Sequence, residues 1–289
     1  MTKQHKIKAL NPINAIAIGL VCLFLITVIP LLCHAARSDA SRMICARNLS
    51  TIGEAMLIYA SDYDDNFPRA GGPKSLWTRN IRDWKAADRY SAYGLQVNGS
   101  SGRANITSCL YLMVKYAEVQ LKTFVCPNDV GTTVFNPADD GVGNRDPITL
   151  WDFGVEPAKH CSYAYHTPFS NFALTTASDP NLAVAADRNP WIKSPFAEPK
   201  DFNLFDPNGS DESIKAGNSR SHKDQGQNVL LVDGRVKFEN RPNCGIDNDN
   251  IYTSWNGNDK ARGTPPKLGS KPANVLDSLL VNDPTIKPD

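Results

Sequence analysis

The first pattern in the chain is an apolar run that passes into an amphipathic one. Residues 15–33 contain no charged side chain, and Thr27 is their only hydroxyl. These 19 residues would rise about 29 Å as an α-helix, close to the thickness of a bilayer's hydrocarbon core. Beyond them, apolar residues recur at spacings of four and three: Cys45, Leu49, Ile52, Met56, Tyr59 and Tyr63. This spacing predicts one helix face, so we expect a transmembrane helix at 13–35 that continues as an amphipathic helix at 36–68.

Shorter patterns follow this helix. The clearest is an apolar run that meets Asp233-Gly234 and then alternates, which predicts a β-hairpin over 228–239. The spacing of apolar residues also predicts a helix at 109–119 and strands at 162–165 and 182–186. We therefore expect an α+β fold, in which a long N-terminal helix, half transmembrane and half amphipathic, packs on an antiparallel β-sheet. The expected segments are a basic leader at 1–12, the two helix halves, a loop-rich body at 69–260 and a C-terminal tail at 261–289.

The charge of the chain bears on which partners it can bind and on which side of a membrane its N-terminus would lie. A net charge of +1, from 31 basic and 30 acidic residues, gives no electrostatic basis for binding nucleic acid. Lys3, Lys6 and Lys8 precede the apolar run, and such a bias predicts a cytoplasmic N-terminus. A cleaved secretory signal is the alternative, although its apolar region is usually shorter.

The seven cysteines give no metal-binding spacing, because neither CxxC nor a Cys/His cluster is present in the sequence. Cys45 lies on the apolar helix face, and Cys126 lies in the segment 123–127, which is expected to form a short strand ended by Pro127. If these elements pack together, a disulfide between Cys45 and Cys126 would join them, with Cys109 as the competing partner. Buried free thiols are the alternative, since an isolated cysteine often behaves as a small core residue.

Two polar groups are candidate sites. His222 and Asp233 could form an acid–base pair, but catalysis also needs a nucleophile or a metal, so we predict structural roles: His222 holds the loop before the hairpin, and Asp233-Gly234 forms its turn. Asp247, Asp249 and Asn250 offer the hard oxygen ligands that calcium prefers. An ordinary Asx-rich turn is the alternative there.

Several segments in order resemble one protein family. They are ARSDASRMICARNLSTIGEAMLIYASDYDDNFP (36–68), TFVCPND (123–129), CSYAY (161–165), SHKDQGQNVLLVDGRVKF (221–238) and DNDNIYT (247–253). With them the chain resembles type IV pilin-like and type II secretion pseudopilin-like proteins of the bacterial prepilin-type family, marked by a His followed by Asp-Gly. The nearest match to the family's processing point is Ala9-Leu10, and Asn14 stands where a Glu is expected.

The resemblance implies a non-enzymatic structural subunit of a type II secretion or type IV pilus-like assembly. It would pass once through a bacterial inner membrane, with its body in the periplasm or at the cell surface. The expected partners are the lipid bilayer, like subunits through the N-terminal helix, and secretion or pilus assembly proteins. No cofactor is expected except calcium, which related pseudopilins bind. The alternative function is an envelope-anchored surface protein that binds glycan or protein through residues 187–227, which include Trp191.

Overall fold

The structure is a computed structural model that describes the backbone of residues 12–285 and the side chains of all these except 12, 15, 19 and 29–37. Ala9 and Leu10, with most of the predicted basic leader, lie outside the described residues. The chain separates into two compact units, Met1–Ser41 and Arg42–Asp289. The fold of interest is therefore that of the second unit.

The longest helix, α1, runs from Pro12 to Asp62 and spans the boundary between the units. Its part within the second unit buries the apolar residues Cys45, Leu49, Ile52, Met56 and Ala60. Large apolar side chains of the first unit are exposed instead: Ile13, Ile16, Ile18, Leu20, Val21, Leu23, Phe24, Leu25 and Ile26. In the second unit, α1 joins the core that contains the sheet from Cys45 onward.

The predictions about the membrane are wrong. Among the residues that the structure describes, no helix is long and apolar enough to cross a membrane. This finding removes the support for a transmembrane helix at 13–35, for a single-pass inner-membrane location and for a periplasmic or surface body. The prediction counted uncharged residues, and its 19-residue run holds Gly19, Thr27 and Pro30, whereas a span needs about 20 predominantly apolar residues.

The predicted fold class is also wrong. The structure is a mixed fold of helices and sheets, and it does not show a long N-terminal helix packed on a sheet as one element. The physical reason is the division of the chain after Ser41, which separates the first part of α1 from the unit that holds the sheet.

The main sheet has five strands within the described residues, in the order β6–β5–β4–β3–β9, and every neighbouring pair is antiparallel. Their bounds are β3 Tyr163–His166, β4 Ala183–Asp187, β5 Gln227–Leu231, β6 Val236–Glu239 and β9 Leu280–Val281. β3, β4, β5 and β9 are buried along their length. Successive side chains of each strand point to opposite faces of the sheet. On one face, Tyr163, Tyr165 and Leu230 join the core cluster that includes α1. On the other, Ala164, Val229 and Leu231 pack with Trp191 and Tyr252.

The remaining elements are short. They are the helices α2 Arg89–Tyr93, α3 Ile106–Ala117 and α4 Asp211–Lys215, the parallel pair β1 Leu76–Trp77 and β2 Arg103–Ala104, and the hairpin β7 Ser254–Asn256 with β8 Asp259–Thr264. Single 3-10 turns lie at Leu121–Phe124, Pro137–Asp140, Pro147–Thr149, Pro157–His160, Phe202–Leu204, Arg220–His222 and Ile246–Asn248. α3 begins at a capping box, in which the Asn105 side chain accepts from the backbone of Ser108 and the Ser108 side chain accepts from the backbone of Asn105.

The hairpin predicted over 228–239 is present as β5 and β6, but its connection differs from a two-residue turn with two positive φ angles. Only Gly234 has a positive φ, of 83°, and the residues between the strands are 232–235. The Asp233 carboxylate accepts a hydrogen bond from the backbone N–H of Arg235 at 3.1 Å, which is an Asx-type turn. Farther along, β9 places part of the predicted C-terminal tail at the edge of the main sheet.

Candidate functional site

His222 lies at the end of the 3-10 turn that precedes β5. The turn begins at Ser219, whose side chain accepts a hydrogen bond from the Ser221 backbone. The buried imidazole faces Asp187, at the end of β4, with Nε2 3.1 Å from Oδ2. On its other side, Nδ1 is 3.4 Å from Nδ2 of Asn128. The structure therefore pairs His222 with Asp187 rather than with Asp233, whose nearest charged partner is Arg235.

Asp187 is completely buried. Its Oδ2 accepts hydrogen bonds from the backbone N–H of Asn228 at 2.7 Å and from the side chain of Asn228 at 3.2 Å. Its Oδ1 has no hydrogen-bond partner among the described residues. A buried carboxylate oxygen without a partner is costly, so this atom marks a place where the fold leaves a strong acceptor for something else.

A disulfide lies against this pair. The structure joins Cys45 of α1 to Cys126, with their Cα atoms 5.3 Å apart. The possible ligand atoms of Cys45, Cys126, Asp187 and His222 all lie within 4.8 Å of one another, and all four residues are buried. We refer to these four residues as the His222 cluster. Cys109, the competing partner considered from the sequence, is a buried free thiol whose pKa burial raises.

An open cleft lies beside the His222 cluster. Three of its lining residues are near neighbours of cluster residues in the chain: Asn128, Arg188 and Ser221. Its enclosed volume is about 160 Å³. The other lining residues are Asp129, Val130, Asn189, Pro190, Ile192, Ser194, Phe196, Ala197, Glu198 and Arg220. We call it the Arg188 cleft.

Arg188 is held rigidly in this cleft. Its Nε and Nη2 donate to Oδ2 of Asp129 at 3.1 and 2.9 Å, and Nη2 also donates to the carbonyl oxygens of Ala158 at 3.2 Å and Cys161 at 2.6 Å. Its Nη1 is buried and has no partner among the described residues. The guanidinium is therefore fixed in place while one of its nitrogens keeps its donors unused.

The rim of the cleft combines an aromatic ring with further charges. Phe196 is 55% exposed. Lys193 and Glu198 form an ion pair at 2.9 Å, and Arg220 donates from Nη2 to the carbonyl oxygen of Glu198 at 3.2 Å. Fixed guanidinium donors, an amide and an exposed ring suit the recognition of a polar ligand.

Each side chain considered for calcium binds a donor within the protein, and calcium binding stays a prediction. Asp247 is exposed and pairs with Lys260 at 3.1 Å. Asp249 is buried, accepts from the Trp255 indole at 2.7 Å and from the Ser278 backbone at 3.0 Å, and burial raises its pKa to about 7. The Asn250 side chain accepts from the backbone of Tyr252. The oxygens of this turn thus already bind protein donors.

The segment 187–227, expected to bind glycan or protein, is partly interior. Trp191 is 5% exposed and packs against Phe202, Phe205 and Tyr252, so it belongs to the core rather than to a contact surface. The exposed aromatic side chain at the cleft is Phe196 instead. Its position next to Pro195 in a polar loop was the signal that could have distinguished it.

Comparisons with known proteins give no relative: no family model matches the chain, and neither a curated protein nor a solved structure matches it. The resemblance to type IV pilin-like and type II secretion pseudopilin-like proteins is therefore wrong as a family assignment. Its separate motifs are short, and the helix on which it depends does not form the expected element.

Proposed function

We propose that this protein is a non-enzymatic binding protein that holds an acidic glycan in the Arg188 cleft. The observation that carries the proposal is the Arg188 guanidinium, which lines the cleft and is fixed in place by the four acceptors Asp129, Thr132, Ala158 and Cys161, while Nη1 has no partner among the described residues. A carboxylate or hydroxyl oxygen of a ligand would accept a hydrogen bond from this nitrogen.

The dimensions of the cleft favour a sugar over a protein surface. Its enclosed volume of about 160 Å³ is below the roughly 300–1,000 Å³ typical of drug-sized ligand sites, so it suits a single sugar residue of a longer chain, whereas a stable protein interface buries about 800 Å² on each partner. Within it, Phe196 offers a ring for stacking and Asn128 an amide that can pair with hydroxyl groups.

The charges of the cleft favour an acidic sugar over a neutral one. Arg188 is paired with Asp129, and Lys193 with Glu198. Arg220 instead donates to a backbone carbonyl oxygen, so its positive charge adds to an otherwise balanced set. A carboxylate near Arg220 and Arg188 would form charge-assisted hydrogen bonds.

The test is calorimetric titration of the full chain with an oligouronate and with a neutral oligosaccharide of the same length. We expect the oligouronate to bind more tightly. Arg220→Gln should weaken its binding about tenfold or more, since a hydrogen bond to a charged group contributes about 1.5–3 kcal/mol. Phe196→Ala should also weaken it, because it removes the ring on which the sugar would stack. Arg103→Gln, which removes the same charge from an exposed residue outside the lining of the cleft, should leave the affinity unchanged.

Two outcomes contradict the proposal. One is that neither sugar binds. The other is that Arg103→Gln weakens binding as much as Arg220→Gln, which would indicate attraction to net charge alone. Binding of a peptide with a free carboxylate, without binding of the sugars, would assign the cleft to a protein partner. The other expected partners, which are like subunits and assembly proteins, stay predictions.

A further inference from the structure

The His222 cluster places an imidazole and a carboxylate beside the two cysteines of the disulfide. Its four donors come from parts of the chain that are far apart: α1, the loop after Phe124, the end of β4 and the turn before β5. We propose that, when the Cys45–Cys126 disulfide is reduced, the cluster binds one zinc ion through two thiolates, one imidazole and one carboxylate.

The donor set selects zinc. Thiolate, imidazole and carboxylate are all ligands of Zn²⁺, and four such donors complete the tetrahedral shell of a structural zinc site, while magnesium and calcium prefer oxygen donors alone. In a tetrahedral site with Zn–S bonds near 2.3 Å, the two sulfurs lie about 3.8 Å apart. The Cα atoms of Cys45 and Cys126 are 5.3 Å apart, so rotation of the two side chains supplies this separation.

An independent observation points to a missing ligand at the same place. Oδ1 of Asp187 is buried and has no partner among the described residues, although the rest of the side chain is tightly held. Asn228 donates to Oδ2 through its backbone and its side chain, and the side chain of Asn128 lies against Nδ1 of His222. Such contacts orient the ligands of a metal site and tune its affinity.

The Arg188 cleft approaches the cluster from the side of His222, because Asn128, whose Nδ2 lies 3.4 Å from Nδ1 of His222, lines the cleft. The redox step balances as follows. A dithiol donates two electrons and two protons to the disulfide and becomes a disulfide itself, while Cys45 and Cys126 become thiols. Zinc then displaces both thiol protons, and His222 stays neutral with its proton on the nitrogen that does not bind the metal.

The experiment compares the oxidised full chain with the chain reduced by a phosphine, which takes its oxygen from water and does not compete as a thiol. Each sample is incubated with zinc, desalted without oxygen and analysed for bound metal. We expect one zinc ion per chain in the reduced sample and none in the oxidised one. Cobalt in place of zinc should give the thiolate-to-metal absorption and the visible bands of a tetrahedral site.

Variants assign the ligands. His222→Gln and Cys45→Ser should abolish binding, and Asn228→Ala, which leaves all four ligands present, should weaken it about 10–100-fold. Cys109→Ser is the matched control, because Cys109 is a buried free thiol outside the cluster, and it should bind zinc as the natural chain does.

Three results overturn the inference. The first is that the reduced natural chain, with zinc present, binds no metal, whether or not it keeps its fold. The second is that His222→Gln and Asp187→Asn bind as tightly as the natural chain, because two thiols alone would then explain the binding. The third is that the oxidised chain binds equally well. The comparison of oxidised with reduced natural chain decides the question even if a variant fails to fold.

Discussion

Asp283, near the end of the described chain, forms hydrogen bonds to the start of α3, and we expect its replacement to lower the free energy of unfolding strongly. The carboxylate is buried and accepts three hydrogen bonds: from the Trp77 indole at 2.8 Å, from the Ile106 backbone at 3.0 Å and from the Thr107 backbone at 2.8 Å. Ile106 and Thr107 open α3, and the first N–H groups of a helix have no acceptor within it.

The magnitude follows from these donors. Asp283→Ala leaves three buried N–H groups without an acceptor, and each costs about 1–3 kcal/mol, so we expect a loss of about 3–9 kcal/mol in the free energy of unfolding. Asp283→Asn keeps one oxygen as an acceptor and should lose about 1–3 kcal/mol. Because domains are stable by only about 5–15 kcal/mol, the alanine variant is expected to be close to unfolding.

The pH dependence gives a second signature. Burial raises the pKa of Asp283 to about 6, above its value in the unfolded chain. The folded state then binds the proton more tightly, so this carboxyl stabilises the fold most at low pH, and that contribution is lost as pH rises through about 6. When pH falls from about 7.5 to about 5, the free energy of unfolding of the natural chain should rise by about 1 kcal/mol relative to that of Asp283→Asn, because the asparagine cannot titrate.

Urea denaturation followed by circular dichroism at both pH values measures these differences. Asp62→Asn is the control, because Asp62 is an exposed acidic residue of α1 and surface substitutions usually change stability by less than about 0.5 kcal/mol. The reasoning is refuted if Asp283→Ala is as stable as Asp62→Asn, or if the gap between the natural chain and Asp283→Asn does not widen at low pH.

Three further predictions concern other parts of the chain. The Cys45–Cys126 disulfide closes a separation of 81 residues, so its reduction in the presence of a chelator should cost about 4–5 kcal/mol in urea denaturation; equal midpoints would contradict this. Burial raises the pKa of Asp249 to about 7, so this group should raise the melting temperature by the equivalent of about 2–3 kcal/mol as pH falls from about 8 to about 5. Asp249→Asn should flatten the dependence of melting temperature on pH, and an unchanged dependence would count against the prediction. Ile18 is 53% exposed among apolar neighbours, so Ile18→Asp should weaken self-association in water about tenfold in sedimentation; an unaltered association constant would disprove the contribution of this surface.

The sequence predicted the elements whose signals are local. The hairpin 228–239 is present because Asp-Gly between alternating runs encodes both the turn and the strands. The helix expected at 109–119 occurs as α3 but begins and ends earlier in the chain. The reason is that the Asn105 capping box begins the helix before the residue at which the apolar spacing predicts it. β9 has only two residues, too few for any periodicity, so its place in the sheet depends on non-local pairing alone.

The candidate site was predicted poorly because its residues meet only in the fold. His222 and Asp187 are brought together by two neighbouring strands, and no spacing in the chain indicates their contact. The polar composition of 187–227 would also predict side chains in contact with water. Asn189 is nevertheless only 1% exposed and donates hydrogen bonds to the carbonyl oxygens of Tyr252 and Leu280. Polar composition does not distinguish side chains that meet water from those that meet buried backbone groups.

The covalent link between Cys45 and Cys126 also determines what happens after the chain is cut. Val97 lies between them and is completely exposed, and Asn98 beside it is exposed too, so a protease would cleave there readily. Both fragments would remain attached through the sulfur bridge. Such a clipped molecule would migrate as one species on a non-reducing gel and would separate into two only after a reductant was added.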